Sequence, residues 1–284
     1  MPCAKMDWDV GKERAMFTTR LISGIILVLL SVVVVGQGGV LLFGVTALIS
    51  AIGLFELYRV LGIERKSLAA VGYATACSYY GILWFEGQKY ITLMIIASLM
   101  VMMALYVFTF PKYKTEEVTA AFFGVCYVPV MLSFLYQTRV MNDGAYLVWL
   151  IFLSSWGCDT CAYCSGMLLG RHKLAPVLSP KKSIEGAVGG AVGAALLGFI
   201  YAALFASHMS GVENPQLVCT AACAIAAVIS QIGDLAASAI KRNHGIKDYG
   251  RLIPGHGGIL DRFDSMIFTC LLYTSDAADD SLRV

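Results

Sequence analysis

Residues 21–35, LISGIILVLLSVVVV, and residues 39–58, GVLLFGVTALISAIGLFELY, are two apolar runs parted only by Gly36-Gln37-Gly38, with Glu56 the single charge between Arg20 and Arg59. Each run is close to the roughly 20 residues that an α-helix needs to cross a bilayer, so the pair reads as a membrane hairpin. Lys5, Lys12, Arg14 and Arg20 precede the first run in the manner of a secretory leader. No small-residue cleavage site followed by a polar segment comes after it, and hydrophobicity resumes at once, so the run is read as a retained span.

The same pattern extends along the chain. Further spans are expected at residues 68–85, 90–110, 118–136, 145–169, 187–206 and 217–240, with a last apolar run from Ser265. Composition agrees: 58% of the 284 residues are hydrophobic, 14% are charged, and the mean hydropathy is +0.73, values that exclude an ordinary soluble domain. The expected fold is an all-α polytopic bundle of about eight to nine transmembrane helices. We divide it into a polar segment 1–20, N-terminal helices 21–154, a second membrane region 155–273 with polar loops 170–186 and 240–264, and a tail 274–284. The apolar run after Asp264 is short for a span and TSDAADDSLRV follows it, so the last span is expected to be incomplete and the tail truncated or foreign.

If the spans alternate sides, the N-terminal segment and the loops after Tyr58, Phe110, Leu169 and Ile240 share one side. Of the 21 Lys and Arg residues, only Lys89 and Arg139 fall opposite, with Arg283 in the tail. The positive-inside rule then places both polar loops in the cytoplasm. The cysteines, nine in all, lie mostly in apolar segments and form no secreted disulfide pattern. Cys158, Cys161 and Cys164 climb one side of a helix without an evident fourth ligand, which favours close packing over a metal site.

Residues 233–264, GDLAASAIKRNHGIKDYGRLIPGHGGILDRFD, hold the densest mixture of charges in the chain. Pro254 to Gly258 supply a glycine-rich turn with exposed N–H groups just before a helix, an arrangement suited to an anion. Asp261 and Asp264, three apart, share a helical face. Carboxylates beside bases and such a turn suggest a divalent cation bridging to phosphates, because Mg²⁺ takes one or two carboxylates together with substrate oxygens. Ionisable groups inside spans are costly unless paired or functional, by about 2.5–3.5 kcal/mol or more. Asp159 and Asp234 therefore read as reaching a cation or nucleotide, with a helix-packing hydrogen bond as the alternative. Glu56 is expected to pair with Arg59 one turn on. The loop 170–186, GRHKLAPVLSPKKSIEG, adds Arg171, His172, Lys173, Lys181 and Lys182.

Ser238, Lys241, Arg242, Lys247, Asp248, Pro254, Gly255, His256, Gly257, Gly258, Asp261, Arg262 and Asp264 together resemble the signature of the phosphatidate cytidylyltransferases, or CDP-diacylglycerol synthases. A second block looks like the same family's: Asp159, Tyr163 and Gly166, then Ser179-Pro180-Lys181-Lys182-Ser183-x-Glu185-Gly186, with Ser183 where the family usually has Thr and Cys161 and Cys164 where it tends to have Gly and an aromatic. The resemblance covers about residues 155–264; the first 150 match only as spans. It implies an integral-membrane enzyme that makes CDP-diacylglycerol and pyrophosphate from CTP and phosphatidic acid, with Mg²⁺ and a second cation such as K⁺. The implied setting is a bacterial inner membrane, with the site facing the cytoplasm. Cations held by Asp234 and Asp261, with Asp264 assisting, would neutralise the two polyanions, and Lys241 and Arg262 would share the catalytic work. Asp159, Ser179, Lys181, Lys182, Ser183, Glu185, Arg242, Lys247, Gly255, His256, Gly257 and Gly258 are the expected substrate contacts. His256 is read as a turn or phosphate contact rather than a base.

Gly186, Gly189, Gly190, Gly193 and Gly198 form small-xxx-small patterns that allow close helix contact, within the subunit or in a homodimer. No P-loop, Rossmann turn or nucleic-acid module is visible. The readings kept beside the cytidylyltransferase are a CTP-dependent lipid-alcohol kinase, a CDP-archaeol-type synthase and, more remotely, a cation-coupled transporter.

Overall fold

The computed structural model describes residues 22–255 and 257–273. The expected polar segment, Leu21, His256 and the 274–284 tail lie outside these residues. The chain is an all-α polytopic membrane bundle with one small hairpin. Its helices are α1 (Ile22–Gln37), α2 (Gly39–Val60), α3 (Ser67–Trp84), α4 (Ile91–Phe108), α5 (Thr115–Val125), α6 (Met131–Val140), α7 (Gly144–Phe152), α8 (Cys158–Leu169), α9 (Ile184–Phe205), α10 (Pro215–Asn243) and α11 (Leu260–Cys270). The expected runs 118–136 and 145–169 each take in two of these helices, and the described residues of the other expected runs lie on one helix each, to within a few residues at the ends. Among the described residues, six helical stretches are long and apolar enough to cross a membrane: Gly39–Val60, Gln88–Phe108, Thr115–Val140, Gly144–Leu169, Ile184–His208 and Pro215–Asn243.

Two of those stretches contain a wide turn. Pro129 has no N–H to donate, and a π-helical turn, Cys126–Val130, absorbs the gap between α5 and α6. A second π turn, Leu153–Gly157, joins α7 to α8, where Ser154 and Ser155 each donate a hydroxyl to the carbonyl four residues back, at 2.7 Å. That turn stands immediately before Asp159, and such turns recur at functional sites.

The packing follows from small residues. Gly186, Gly190, Ala194, Gly198 and Ala202, spaced by four, form the buried face of α9. A Cβ on Gly190 would come within 2.8 Å of the Ala162 methyl on α8, and one on Gly198 within 2.7 Å of the Cys219 carbonyl on α10. The small-residue stripe is thus spent within the subunit, clamping α9 between α8 and α10. Cys158 is buried there, its thiol 3.8 Å from the Ala227 carbonyl, and the cysteines of the described residues are free thiols. The main core joins residues on both sides of position 154, among them Leu54, Leu57, Tyr58, Val128, Leu260, Met266 and Ile267. Tyr58 donates to the Ala121 carbonyl at 2.6 Å across that core.

Length places the polar groups. With 29 residues, α10 extends about 43 Å, well beyond a hydrocarbon core of about 30 Å. Asp234 lies 19 residues after Pro215, about 28 Å along it, so Asp234 to Asn243 emerge near one face. At that same end Arg59 reaches the Tyr249 carbonyl and Lys66 pairs with Glu117, whereas Arg139 is at the other end, bonded to the Val35 carbonyl.

Candidate active site

The site forms where the end of α10, the loop 244–259 and the first turn of α11 fold onto α8. Lys241 is buried, and its ammonium lies 2.9 Å from Asp261 Oδ1, 3.4 Å from Asp264 Oδ2 and 5.1 Å from the centre of the Tyr249 ring. The Lys241, Asp261 and Asp264 side chains are only 10%, 2% and 11% exposed. Buried charges persist when their remaining hydrogen-bonding capacity is met. Asp261 meets this condition: its Oδ2 accepts the N–H groups of Tyr249 at 2.8 Å and Gly258 at 2.9 Å. Both oxygens of Asp261 are therefore committed to holding the loop and Lys241. Asp264 accepts its neighbour Ser265 N–H at 2.9 Å through Oδ1. Tyr249 is buried and donates its hydroxyl to the Ala237 carbonyl at 3.2 Å; burial, then Tyr127 and the two aspartates, keep its phenol above the usual range and so neutral.

Asp234, two turns before Lys241 on the same face of α10, pairs through Oδ2 with Lys182 from the neighbouring loop, and its other oxygen has no hydrogen-bond partner among the described residues. On α8, Asp159 accepts the Ser265 hydroxyl at 3.3 Å and lines the same cavity as Asp234 and Lys182. Trp156 donates its indole N–H to the Arg262 carbonyl at 3.2 Å, tying the π turn to α11. The guanidinium Nε of Arg262 is buried without a partner among the described residues. Four aspartates from three helices thus meet Lys182, Lys241 and Arg262.

The loop 170–186 is a β-hairpin, β1 (Lys173–Ala175) against β2 (Ser179–Ser183), which the all-helical reading did not anticipate. Its two motif residues act as fasteners. Ser183 caps α9 by accepting the Gly186 N–H at 3.1 Å, and Gly166, Gly170 and Gly186 leave no room for a Cβ around its hydroxyl. Glu185 accepts the backbone N–H groups of Arg171 and His172 and bonds His172 Nδ1 at 2.6 Å. Ser179 starts β2 half-buried, and Lys181 is exposed at the mouth of a cavity of about 390 Å³. Its walls are Ala162, Tyr163, Met167, Leu174 and Ala187, and its polar end is Asp159, Asp234 and Lys182. Tyr163 and Met167 are exposed on the flank of α8.

A second cavity, about 600 Å³, lies under the glycine turn, lined by Lys247, Asp248, Arg251, Pro254, Gly255, Gly257 and Arg262. Gly255 and Gly257 have φ of 76° and 88°, which only glycine adopts freely, and Ile253 N–H bonds the Gly257 carbonyl at 2.8 Å to close the turn. Gly258 is buried behind this turn. Arg242 is exposed and donates to the Ile246 carbonyl at 2.8 Å, turning the chain out of α10. Lys247 and Asp248 are exposed.

One expectation is corrected. Glu56 and Arg59 form no ion pair with each other: Glu56 accepts the N–H groups of Ile259 at 3.2 Å and Leu260 at 2.9 Å, and Arg59 donates to the Tyr249 carbonyl at 2.6 Å. Sequence offered the charges but not their partners, which are about 200 positions away.

Comparison with known proteins gives the family. A family model described as "Cytidylyltransferase family" matches residues 18–275. The chain belongs to the cytidylyltransferase family. Relatives include phosphatidate cytidylyltransferases of Staphylococcus epidermidis and Staphylococcus haemolyticus, each 32% identical over 252 residues that span 88% of this chain and 94% of the relative. That of Staphylococcus aureus is 38% identical over 161 residues, 55% of this chain and 58% of the relative. In this cytidylyltransferase-family chain no three His, Cys, Asp or Glu side chains converge as a ready metal cage among the described residues. Mg²⁺ needs only one or two protein carboxylates when substrate supplies the rest, and Asp234, with an unbonded oxygen, and Asp264, held by Lys241 only at 3.4 Å, fit that requirement; Asp261 does not.

Proposed function

We propose that this chain is a phosphatidate cytidylyltransferase of phospholipid biosynthesis. A phosphate oxygen of phosphatidic acid forms a bond to the α-phosphorus of CTP, the bond from that phosphorus to the bridging oxygen breaks, and CDP-diacylglycerol and pyrophosphate are released. The observation that supports it best is the pairing of an apolar groove on the flank of α8, whose polar end is Asp159, Asp234 and Lys182, with a basic, glycine-lined cavity bordered by Arg262, the residue next to Asp261. The groove suits a lipid entering from the bilayer, with Lys182 and Lys181 at its polar end for the phosphate. The cavity suits a triphosphate, with Lys247, Arg251 and the turn's N–H groups as donors.

The phosphate of phosphatidic acid is already an anionic nucleophile near neutral pH, so the residues need not supply a strong base. Their task is to bring two polyanions together. Lys182 neutralises one side and is released from Asp234 as the substrate phosphate arrives. Arg262, whose buried Nε has no partner among the described residues, supplies donors to the oxygens that gain charge as the α-phosphorus is attacked. Lys241 holds Asp261 and Asp264 at fixed spacing, and Asp261 fixes the turn. Asp234 and Asp264 would hold a divalent cation such as Mg²⁺, which supplies neutralisation of triphosphate charge. The gathering of Arg59, Lys66, Lys182 and Lys241 at one end supports a cytoplasmic site. Because the small-residue face of α9 is used inside the subunit, it lends no support to a homodimer.

The test is pyrophosphate release by the purified chain in nanodiscs. Release should require CTP and phosphatidic acid together. Release of CDP instead of pyrophosphate would replace this reading with a lipid kinase.

A further inference from the structure

We propose that Glu56, on α2, is a positioning residue of the active site: its carboxylate sets the start of α11 and thereby the placement of Asp261, Arg262 and Asp264. The inference rests on the cytidylyltransferase reading for its kinetic consequence, though not for its geometry. Glu56 is 3% exposed, and a carboxylate so buried is costly unless its oxygens are bonded. Its bonds go to the Ile259 and Leu260 N–H groups, the N-cap and the first residue of α11. A helix leaves its first N–H groups without intrahelical partners and gathers positive charge there. Ile259 has no side chain able to cap, so α2 supplies the cap from about 200 residues away.

Two further observations bear on the same point. A Cβ on Gly250 or on Gly258 would collide with the Glu56 carboxylate, so the loop closes directly onto it at both ends of the glycine turn. One turn along α2, Arg59 donates to the Tyr249 carbonyl while the Tyr249 N–H is donated to Asp261. Thus α2 holds the catalytic loop at two places, and Asp261 follows Leu260 directly. Glu56 touches none of the cavities at the site, which makes it a residue acting through others. A misplacement of about 1 Å at reacting groups can cost about 100-fold in rate.

The experiment compares Glu56→Gln, Gly258→Ala, Glu56→Ala and the Glu56→Ala/Gly258→Ala double variant with the parent chain in nanodiscs. It reads kcat and KM for CTP, and hydrogen exchange in peptides covering residues 257–264 and the helix α9. Glu56→Gln should lower kcat by about 100-fold, leave the KM for CTP nearly unchanged, and speed exchange at 257–264 but not in α9. Gly258→Ala should lower kcat alone, yet add little to Glu56→Ala, because the carboxylate it meets is gone. Parental exchange at 257–264 in Glu56→Gln, faster exchange throughout α9 as well, or full additivity in the double variant would each overturn the proposal. Absence of activity in the parent would sink the functional reading instead, and the exchange comparison would still decide the role of Glu56.

Discussion

Asp261→Asn should cost folding stability as well as activity, and Asp234→Asn should cost activity alone. In the structure Asp261 is 2% exposed and uses one oxygen for Lys241 and the other for two backbone N–H groups. An asparagine has one acceptor oxygen: aimed at those N–H groups it turns an amide donor toward the Lys241 ammonium, and aimed at Lys241 it turns that donor toward the N–H groups. Lys241, itself 10% exposed, then retains only Asp264 at 3.4 Å. Breaking a buried pair by removing one partner typically costs about 3–5 kcal/mol. At about 2–4 °C per kcal/mol for domains of comparable size, the thermal midpoint should fall by on the order of 10 °C. Asp234, at 24% exposure and paired among the described residues with Lys182, lacks this scaffold role, and Asp234→Asn should leave the midpoint within a few degrees. Its rate should fall by about 100- to 1,000-fold, as for removal of one electrostatic catalytic contact. Thermal unfolding in nanodiscs and pyrophosphate release, measured on both variants, make the comparison. An Asp261→Asn protein as stable as its parent would refute the assignment of Asp261 to the loop scaffold.

Other outcomes follow from the same geometry. Gly257→Ala should reduce stability by about 1–2 kcal/mol from its φ of 88° alone, and activity further, because a Cβ would sit 2.8 Å from Asp261 Oδ2; parental activity would count against the turn. Tyr249→Phe loses one hydrogen bond and should cost about 1 kcal/mol in thermal unfolding with most turnover retained. Excess EDTA should abolish pyrophosphate release and Mg²⁺ restore it; undiminished turnover in chelator would exclude the divalent-cation site. Single cysteines at Lys182 and Lys247 should react with impermeant reagents only from the cytoplasmic side, and one at Lys89 only from outside; labelling of 182 and 89 from one side would break the topology.

Much of this molecule is legible in its sequence, for identifiable reasons. Length and continuity of apolar runs mark spans, and each run expected from 21–35 to 217–240 lies on a helix. The residues of 233–264 that suggested polyanion chemistry are brought together, because Asp234 and Lys241 share a face of α10 and α11 returns directly against it. Roles within the cluster were harder to read. Asp261 and Asp264 look equivalent by spacing, and only the N–H groups of Tyr249 and Gly258 distinguish the anchor from its neighbour. Glu56 next to Arg59 matches a local helical pair, so periodicity pointed to the wrong partner; the true partners depend on which helices pack, and a single sequence holds no record of that. The hairpin at 173–183 was hidden because SPKKS is too short and too polar for a strand pattern, its form being held by Glu185 bonding back to the N–H groups of Arg171 and His172.

In the reaction assigned to this chain the cytidylyl group, and no other part of CTP, passes to the lipid. CTP labelled at the α-phosphorus, and in a parallel reaction at the γ-phosphorus, can be incubated with the chain and phosphatidic acid in nanodiscs and the lipid extracted. The α-label should enter the lipid fraction as the γ-label leaves in pyrophosphate, mole for mole. A γ-label in the lipid, or an α-label confined to water-soluble products, would contradict the account.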